Sequence, residues 1–220
     1  MYFLLIETST EQGLLAYAEE TIISVREWPF VLGQSRELMT TLTTVLPIDA
    51  ATAVQGIAVG IGPGSYTGIR LGVSVAQALS YAWQIPLVGV STLSCFIPKE
   101  PQDKFAVLMD ARRGAVYAVK RKYVANEAVD IDQPVLIPLT QVEEYLDGID
   151  HVVSPHAHAL QTKLAASHSP DRWRWEQSAL SPLAFLQTAR MSSGKIGVCP
   201  PLLYLQATEA EKMSSKIQRA

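Results

Sequence analysis

The chain has 220 residues, a formal net charge of −3, and 48% hydrophobic against 18% charged residues. That length and composition provide a core for one or two compact domains and exclude a disordered chain. The acidic balance argues against a dedicated nucleic-acid binder, whose footprint is a basic excess.

In chain order, "YFLLIE" (2–7) is an apolar run of strand length, fit for a strand covered on both faces. The turn residues "TSTEQG" follow, and "LLAYAEE" and "TIISVREW" read as two further strands. "SRELMTTLTTVLP" sets Leu38, Met39, Leu42, Val45 and Leu46 at helical spacing, with Ser35 as expected N-cap and Pro47 as the stop. "VQGIAVGIG" is a buried strand, Ser65 to Trp83 a long helix closed by Pro86, "PLVGVS" a strand and "TLSCFI" a short helix. "PKEPQDK" (98–104) is the best break in the chain. Beyond it "FAVLMDARRGAVYAVKRKYV" reads as two strands around a turn, echoing the N-terminus. "TQVEEYL" is a short helix, "HVVS" a strand, "PLAFLQTARM" a helix, and "EAEKMSSKIQRA" a polar surface helix or frayed tail. Two halves that each begin with a hairpin predict an α/β protein of two related lobes, 1–100 and 101–220.

Between Asp49 and Lys99 the only charged residue is Arg70, but Gly62, Pro63, Gly64, Gln77, Gln84, Pro86 and Gly89 interrupt the run. That pattern is a buried core rather than a membrane span. The N-terminus lacks the basic stretch of a signal peptide. Cys95 and Cys199 have neither metal nor redox spacing and read as two buried thiols of a cytosolic protein.

"GIGPGSYTGIR" (60–70) lies between a strand and a helix. It lacks the lysine of a Walker A loop, and Ser65 stands where a dinucleotide fingerprint needs its third glycine. Free amides of Ser65, Tyr66 and Thr67 at a helix N-terminus could hold an anion. The alternative, favoured here, is a loop that caps the helix and shapes a surface. Along that helix Gly68, Gly72, Ala76 and Ser80 repeat every four residues, a stripe that lets a second helix approach closely. Ile69, Leu71, Val73, Val75 and Leu79 surround it, so the helix lies against its own sheet alone or turns one face to another chain. The second reading is favoured.

Catalytic constellations are scarce. No Gly-x-Ser-x-Gly elbow is present. Glu7 and Asp110 each end a strand just before a turn, as nucleotide-site carboxylates of two-lobed ATPases do and as ordinary turn-forming acids do. His151, His156 and His158 crowd into "HVVSPHAH" without a nearby cysteine or acidic partner, so no metal is expected.

"LLIETST", "IAVGIGPGSYTGIRLGVSVAQALSYAWQIPLVGVSTL" and "MDARRGAVYAV", with weaker matches as far as "PPLLYL", resemble the TsaB (YeaZ) family. That family is the dimerisation subunit of the bacterial tRNA threonylcarbamoyladenosine machinery. The resemblance implies an actin-like two-lobed ATPase fold, each lobe a mixed sheet with helices; the last segment is a candidate to pack back on the first lobe. It implies a cytoplasmic, non-catalytic subunit that pairs with a TsaD-like catalytic subunit and a TsaE-like ATPase, and with itself when alone. The complex, which uses ATP, transfers a threonylcarbamoyl group to the adenosine beside the anticodon of ANN-reading tRNAs; this chain reaches tRNA only through it. The alternative is a stand-alone actin-like ATPase or glycoprotease-like peptidase.

The expected interface comprises Leu38, Met39, Leu42, Val45 and Leu46 on one helix and Gly68, Ile69, Gly72, Val75, Ala76 and Leu79 on the other. Glu7, Thr8, Ser9, Gly64, Ser65, Tyr66 and Thr67 are weaker candidates for an anion or nucleotide contact; no cofactor is assigned to the chain itself. Two residues depart from the family pattern: Glu7 replaces the usual aspartate and Gln34 the usual histidine. The extra methylene at Glu7 argues against ordinary nucleotide binding at that turn.

Overall fold

The alternation of side chains along the first strand sets the architecture. In β1 (Phe3–Glu7) every residue is buried. Phe3 and Leu5 enter one apolar cluster and Leu4 and Ile6 another, so the sheet is covered on both faces. A computed structural model describes residues 1–29, 35–165 and 170–206 of the chain. The Ser35 cap, Gln34 and the polar C-terminal segment from Glu209 lie outside what its described side chains cover.

β1 pairs antiparallel with β2 (Gln12–Ala18), which pairs antiparallel with β3 (Ile22–Pro29). After α1 (Ser35–Val45) and α2 (Ala50–Ala53), β4 (Gly56–Gly60) joins the other edge of β1 in parallel. α3 (Tyr66–Trp83) then crosses to β5 (Pro86–Val90), parallel to β4. A short 3-10 turn, Thr92–Cys95, leads out of this lobe.

The second sheet repeats the plan. β6 (Phe105–Asp110) pairs antiparallel with β7 (Ala115–Val124), whose far edge carries β8 (Glu127–Asp130) and β9 (Val135–Pro138). After α4 (Val142–Tyr145), β10 (His151–Ser154) runs parallel to β6. α5 (Ala157–Leu164) then leads to β11 (Arg174–Gln177), parallel to β10. Among the described residues five strands of each sheet follow one order, β5-β4-β1-β2-β3 in the first lobe and β11-β10-β6-β7-β8 in the second. α6 (Pro182–Arg190) packs against both lobes, and β12 (Lys195–Ile196) returns the chain to the edge of β5.

Phe105, Val107 and Met109 of β6 share a cluster with Phe3 and Leu5 of β1, so the two sheets face each other across one core. Leu38, Leu42, Val45, Ile69, Val73 and Ala76 cover the outside of the first sheet, and α4 and α5 supply Val142, Leu160 and Leu164 to the outside of the second. No helix among the described residues is long and apolar enough to cross a membrane. The expectation of two buried thiols needs correcting: Cys95 lies in the interlobe core, whereas Cys199 is exposed on an extended segment without a strand partner.

Candidate functional site: an interlobe cleft and an outer helix face

Two places concentrate the residues singled out in the sequence. The first is a cleft of about 630 Å³ between the lobes, lined by Ser9, Thr10, Gly64, Ser65 and Tyr66 on one wall and Asp110, Arg112, Tyr117 and His156 on the other. The hairpin turns after β1 and β6 meet at its rim, where Arg112 pairs with Glu11 at 3.7 Å, both side chains exposed. The β6–β7 turn runs through three residues of positive φ: Arg112 (61°), Arg113 (51°) and Gly114 (75°). Left-handed backbone costs a non-glycine residue about 1–2 kcal/mol.

Glu7 and Thr8 do not line this cleft. The Glu7 carboxylate is fully buried against Gly60, where an added Cβ would collide with it. It accepts from Ser9 N (2.6 Å) and Thr92 Oγ1 (2.9 Å). Burial pushes the Glu7 carboxyl up, against those hydrogen bonds, which favour its ionised form. Thr8 Oγ1 donates to Gly68 O at 2.8 Å. Asp110 is different. Burial would raise it, but Lys163, the Arg112 amide and His156 outweigh burial and hold it below the usual carboxylate range.

The amides that were weaker candidates for holding an anion are partly engaged. Ser65 N donates to Ser9 O (2.7 Å), and Ser65 Oγ accepts from Gly68 N (3.2 Å), which makes Ser65 the N-cap of α3. Ser65, Tyr66 and Thr67 are exposed, but Thr67 lies off the cleft lining. The three histidines occupy separate surroundings. His151 is buried and bonded to Glu176 (3.0 Å), the His156 Nδ1 accepts from Asp110 N (3.2 Å), and His158 is exposed.

The second place is α3, and here the structure corrects the expected open stripe. Gly68, Gly72, Ala76 and Ser80 are all buried. A Cβ on Gly72 would overlap Thr8 Oγ1 and stand 3.6 Å from Val59 Cγ2, so the stripe is already filled by the chain's own sheet. Ile69 is likewise buried, as are Leu38, Leu42 and Val45 of α1. What faces outward is the opposite side. Val75, Leu79 and Leu46 are half-buried, Met39 is 53% exposed, and Ser74, Ala78 and Ala82 are exposed at the same four-residue spacing. The spacing of Ser74, Ala78 and Ala82 marks this outer side in the sequence too, but without glycines it is less conspicuous than the stripe that the structure buries.

A third feature, the segment containing "PPLLYL", covers one flank of α3. Gly197 N donates to Ser80 Oγ (2.9 Å), Gln77 Nε2 to Gly197 O (3.0 Å) and Leu203 N to Ile61 O (2.9 Å). Tyr204 rests on Tyr66 with ring centroids 4.9 Å apart and accepts from Arg70 Nε (3.2 Å). Gln206 reaches the cleft lining.

Two lobes of one repeated strand order around an interlobe cleft define an actin-like α/β fold. The family model described as "TsaD: tRNA N6-adenosine threonylcarbamoyltransferase" matches residues 38–179, and the chain belongs to this family, in its TsaB (YeaZ) branch. A "tRNA threonylcarbamoyladenosine biosynthesis protein TsaB" of Bacillus subtilis (strain 168) is 29% identical over 237 aligned positions, covering 98% of this chain and 100% of that one. The TsaB of Escherichia coli (strain K12) is 30% identical over 128 residues, 53% of each chain. A Pseudomonas aeruginosa crystal structure described as an uncharacterized protein with similarity to peptidase YEAZ superposes with a TM-score of 0.72 at 22% identity, over 93% of this chain and 99% of that one.

Proposed function

We propose that this chain is the non-catalytic scaffold subunit of a tRNA threonylcarbamoyladenosine biosynthesis complex. In this reading it pairs with a TsaD-like catalytic subunit through the outward faces of α1 and α3, and with a second copy of itself when alone. A TsaE-like ATPase joins the assembly, the complex rather than this chain consumes ATP, and tRNA is reached through the complex in the cytoplasm. The observation that carries the reading is the outer face of α3: exposed Ser74, Ala78 and Ala82 between half-buried Leu71, Val75 and Leu79, with Arg70 as the helix's only charge. Small residues there let a partner helix approach closely, and the flanking apolar side chains supply the area that association needs. Of the expected contacts, Met39, Leu46, Val75 and Leu79 would touch the partner. Leu38, Leu42, Val45, Gly68, Ile69, Gly72 and Ala76 would hold the two helices from beneath.

The competing reading, an ATPase or peptidase acting alone, has less support. Glu7, the first-lobe carboxylate of the expected site, is consumed by Ser9 and Thr92, and Ser65 spends its hydroxyl on capping α3. Purification of the native chain with whatever accompanies it, followed by mass spectrometry, tests the proposal: a TsaD-like subunit should co-purify. The isolated chain should neither hydrolyse ATP nor cleave peptides at enzyme-like rates, and at its net charge of −3 it should bind tRNA weakly. Robust turnover by the isolated chain would overturn the reading.

A further inference from the structure

The turn Thr92–Cys95 between β5 and β6 is fastened at both ends by buried polar groups. At its start, Thr92 N donates to Gly62 O (2.8 Å), and Thr92 Oγ1 donates to Glu7 Oε2 (2.9 Å) while sharing a hydrogen bond with Ser9 Oγ (2.6 Å). These partners all belong to the first lobe. At its end, Ser94 O and Phe96 O accept from Arg121 Nη1 at 3.0 and 3.4 Å. Arg121 belongs to β7 of the second lobe and is only 1% exposed. The rest of its guanidinium is bound within that lobe, Nε to Asp130 Oδ1 (2.7 Å) and Nη2 to Ala128 O (2.7 Å). Leu93, Cys95 and Phe96 sit in the interlobe core beside Phe105, Val107 and Val119. α6 adds a further tie, Ser181 N to Cys95 O at 2.8 Å.

Rotating one lobe against the other would pull Arg121 from two carbonyls or Thr92 from Glu7. Either break leaves a buried hydrogen-bond donor, Arg121 Nη1 or the Thr92 hydroxyl, without an acceptor it has in the closed arrangement, which is a costly way to open a protein interior. The wall carboxylate is part of the fastening, because Glu7 spends both oxygens inside the wall rather than in the cleft. We propose that this buried bolt locks the two lobes into one rigid body. The cleft then keeps its width whatever enters it, and the chain acts as a fixed platform rather than a closing clamp. This inference is independent of which partner the outer face of α3 takes.

The test measures the distance between spin labels at Thr43→Cys on α1 and Asp147→Cys after α4, both exposed positions, in a Cys199→Ser background. Labelled protein is diluted into unlabelled protein so that only distances within one chain are read. The expected result is one narrow distance distribution, unchanged by magnesium ATP. Thr92→Val keeps the side chain's shape and removes its hydroxyl; Arg121→Met removes the guanidinium. Each should broaden the distribution, and amide exchange at Ser94 and Phe96 should quicken about tenfold, the size of one lost buried hydrogen bond. A broad distribution in the parent, a shift with magnesium ATP, or variants as narrow as the parent would each overturn the lock. Should Arg121→Met fail to fold, Thr92→Val decides alone.

Discussion

On the inner face of α3, Gly68, Gly72, Ala76 and Ser80 lie against β1 and β4, out of contact with solvent. On its outer face Ser74, Ala78 and Ala82 repeat at the same four-residue spacing and are exposed. The two stripes differ in how small they are. The inner one carries glycine at Gly72, where no Cβ fits beside Thr8 Oγ1. The outer one carries only serine and alanine, so a Cβ is tolerated at every position and the space above it is open. A glycine at such a spacing reports a neighbour already in place, whereas alanine and serine report room for one. Spacing alone does not separate the two.

The hardest test of this contrast is Gly72→Leu. Overpacking a core typically costs about 1–3 kcal/mol, and here the collision is with a side chain held by its own bond to Gly68 O. A loss at the top of that range or beyond is expected, read as a lowered calorimetric Tm or outright unfolding. A variant that melts like the parent would mean the inner face has slack and the contrast is false.

The matching change outside is Ala78→Leu. An exposed substitution away from special features usually changes stability by less than about 0.5 kcal/mol, so the monomer's Tm should hold. If a helix packs there, overpacking by about 1–3 kcal/mol weakens association roughly tenfold to hundredfold. Sedimentation of the chain alone and with a TsaD-like partner reads the effect. Undiminished association would send the search for the interface elsewhere, beginning with exposed Met39.

The sequence made one of these faces visible and concealed the other, for a physical reason. Elements with dense apolar runs were legible: β1, β4, β5, β6, β10 and the extents of α1, α3 and α6 follow from periodicity and from Pro47, Ser65 and Pro86 as punctuation. Of the edge strands, β3 was legible through Ile22, Ile23, Val25 and Trp28, but β8 and β11 were not. β8 ("EAVD") and β11 ("RWEQ") carry charges because one edge meets solvent, so neither alternation nor an apolar run marks them. The two-residue β12 is a strand only because the C-terminal segment returns to β5, a contact between distant parts of the chain. The phase of α3 was concealed in the same way: apolar side chains surround it, and only the position of Thr8 beneath it selects the buried side. The cleft was half legible. Glu7 and Asp110 were found at the ends of matching strands, but whether a carboxylate faces a cleft or its own wall depends on Thr92, which is remote in sequence.

A smaller effect sharpens the inner side at its beginning. Ser65→Ala removes the hydroxyl that accepts from Gly68 N, the amide of the stripe's first residue. Losing an N-cap of this type costs about 1 kcal/mol. The chain should stay folded, with exchange protection reduced over the first turn of α3 and unchanged near Ser80. Equal loss along the whole helix would show that α3 opens as one unit and that the cap does not act locally.

The smallest expected effect lies in pH dependence, beneath the inner face. Burial raises the Glu7 carboxyl, so the folded chain holds that proton more tightly than the unfolded chain does. Its contribution to stability is therefore complete below the ordinary glutamate range, about pH 4, and is lost as pH rises through the raised folded value. Asp110 runs the other way. Held low by Lys163 and its neighbours despite burial, it stabilises above the ordinary range, and that contribution is lost as pH falls through its depressed folded value. Glu7→Gln deletes the first titration and leaves the second. The amide keeps an oxygen for Ser9 N, and the Thr92 hydroxyl can turn to accept from its nitrogen, so the variant should fold with a neutral-pH change below about 1 kcal/mol. Urea midpoints taken from mildly acidic to neutral pH should shift in the variant's favour as pH rises, because only the parent loses the Glu7 contribution over that interval. Parallel profiles would mean that the carboxyl keeps its ordinary affinity for a proton inside the wall. The bonds from Ser9 and Thr92 would then offset the burial of its charge.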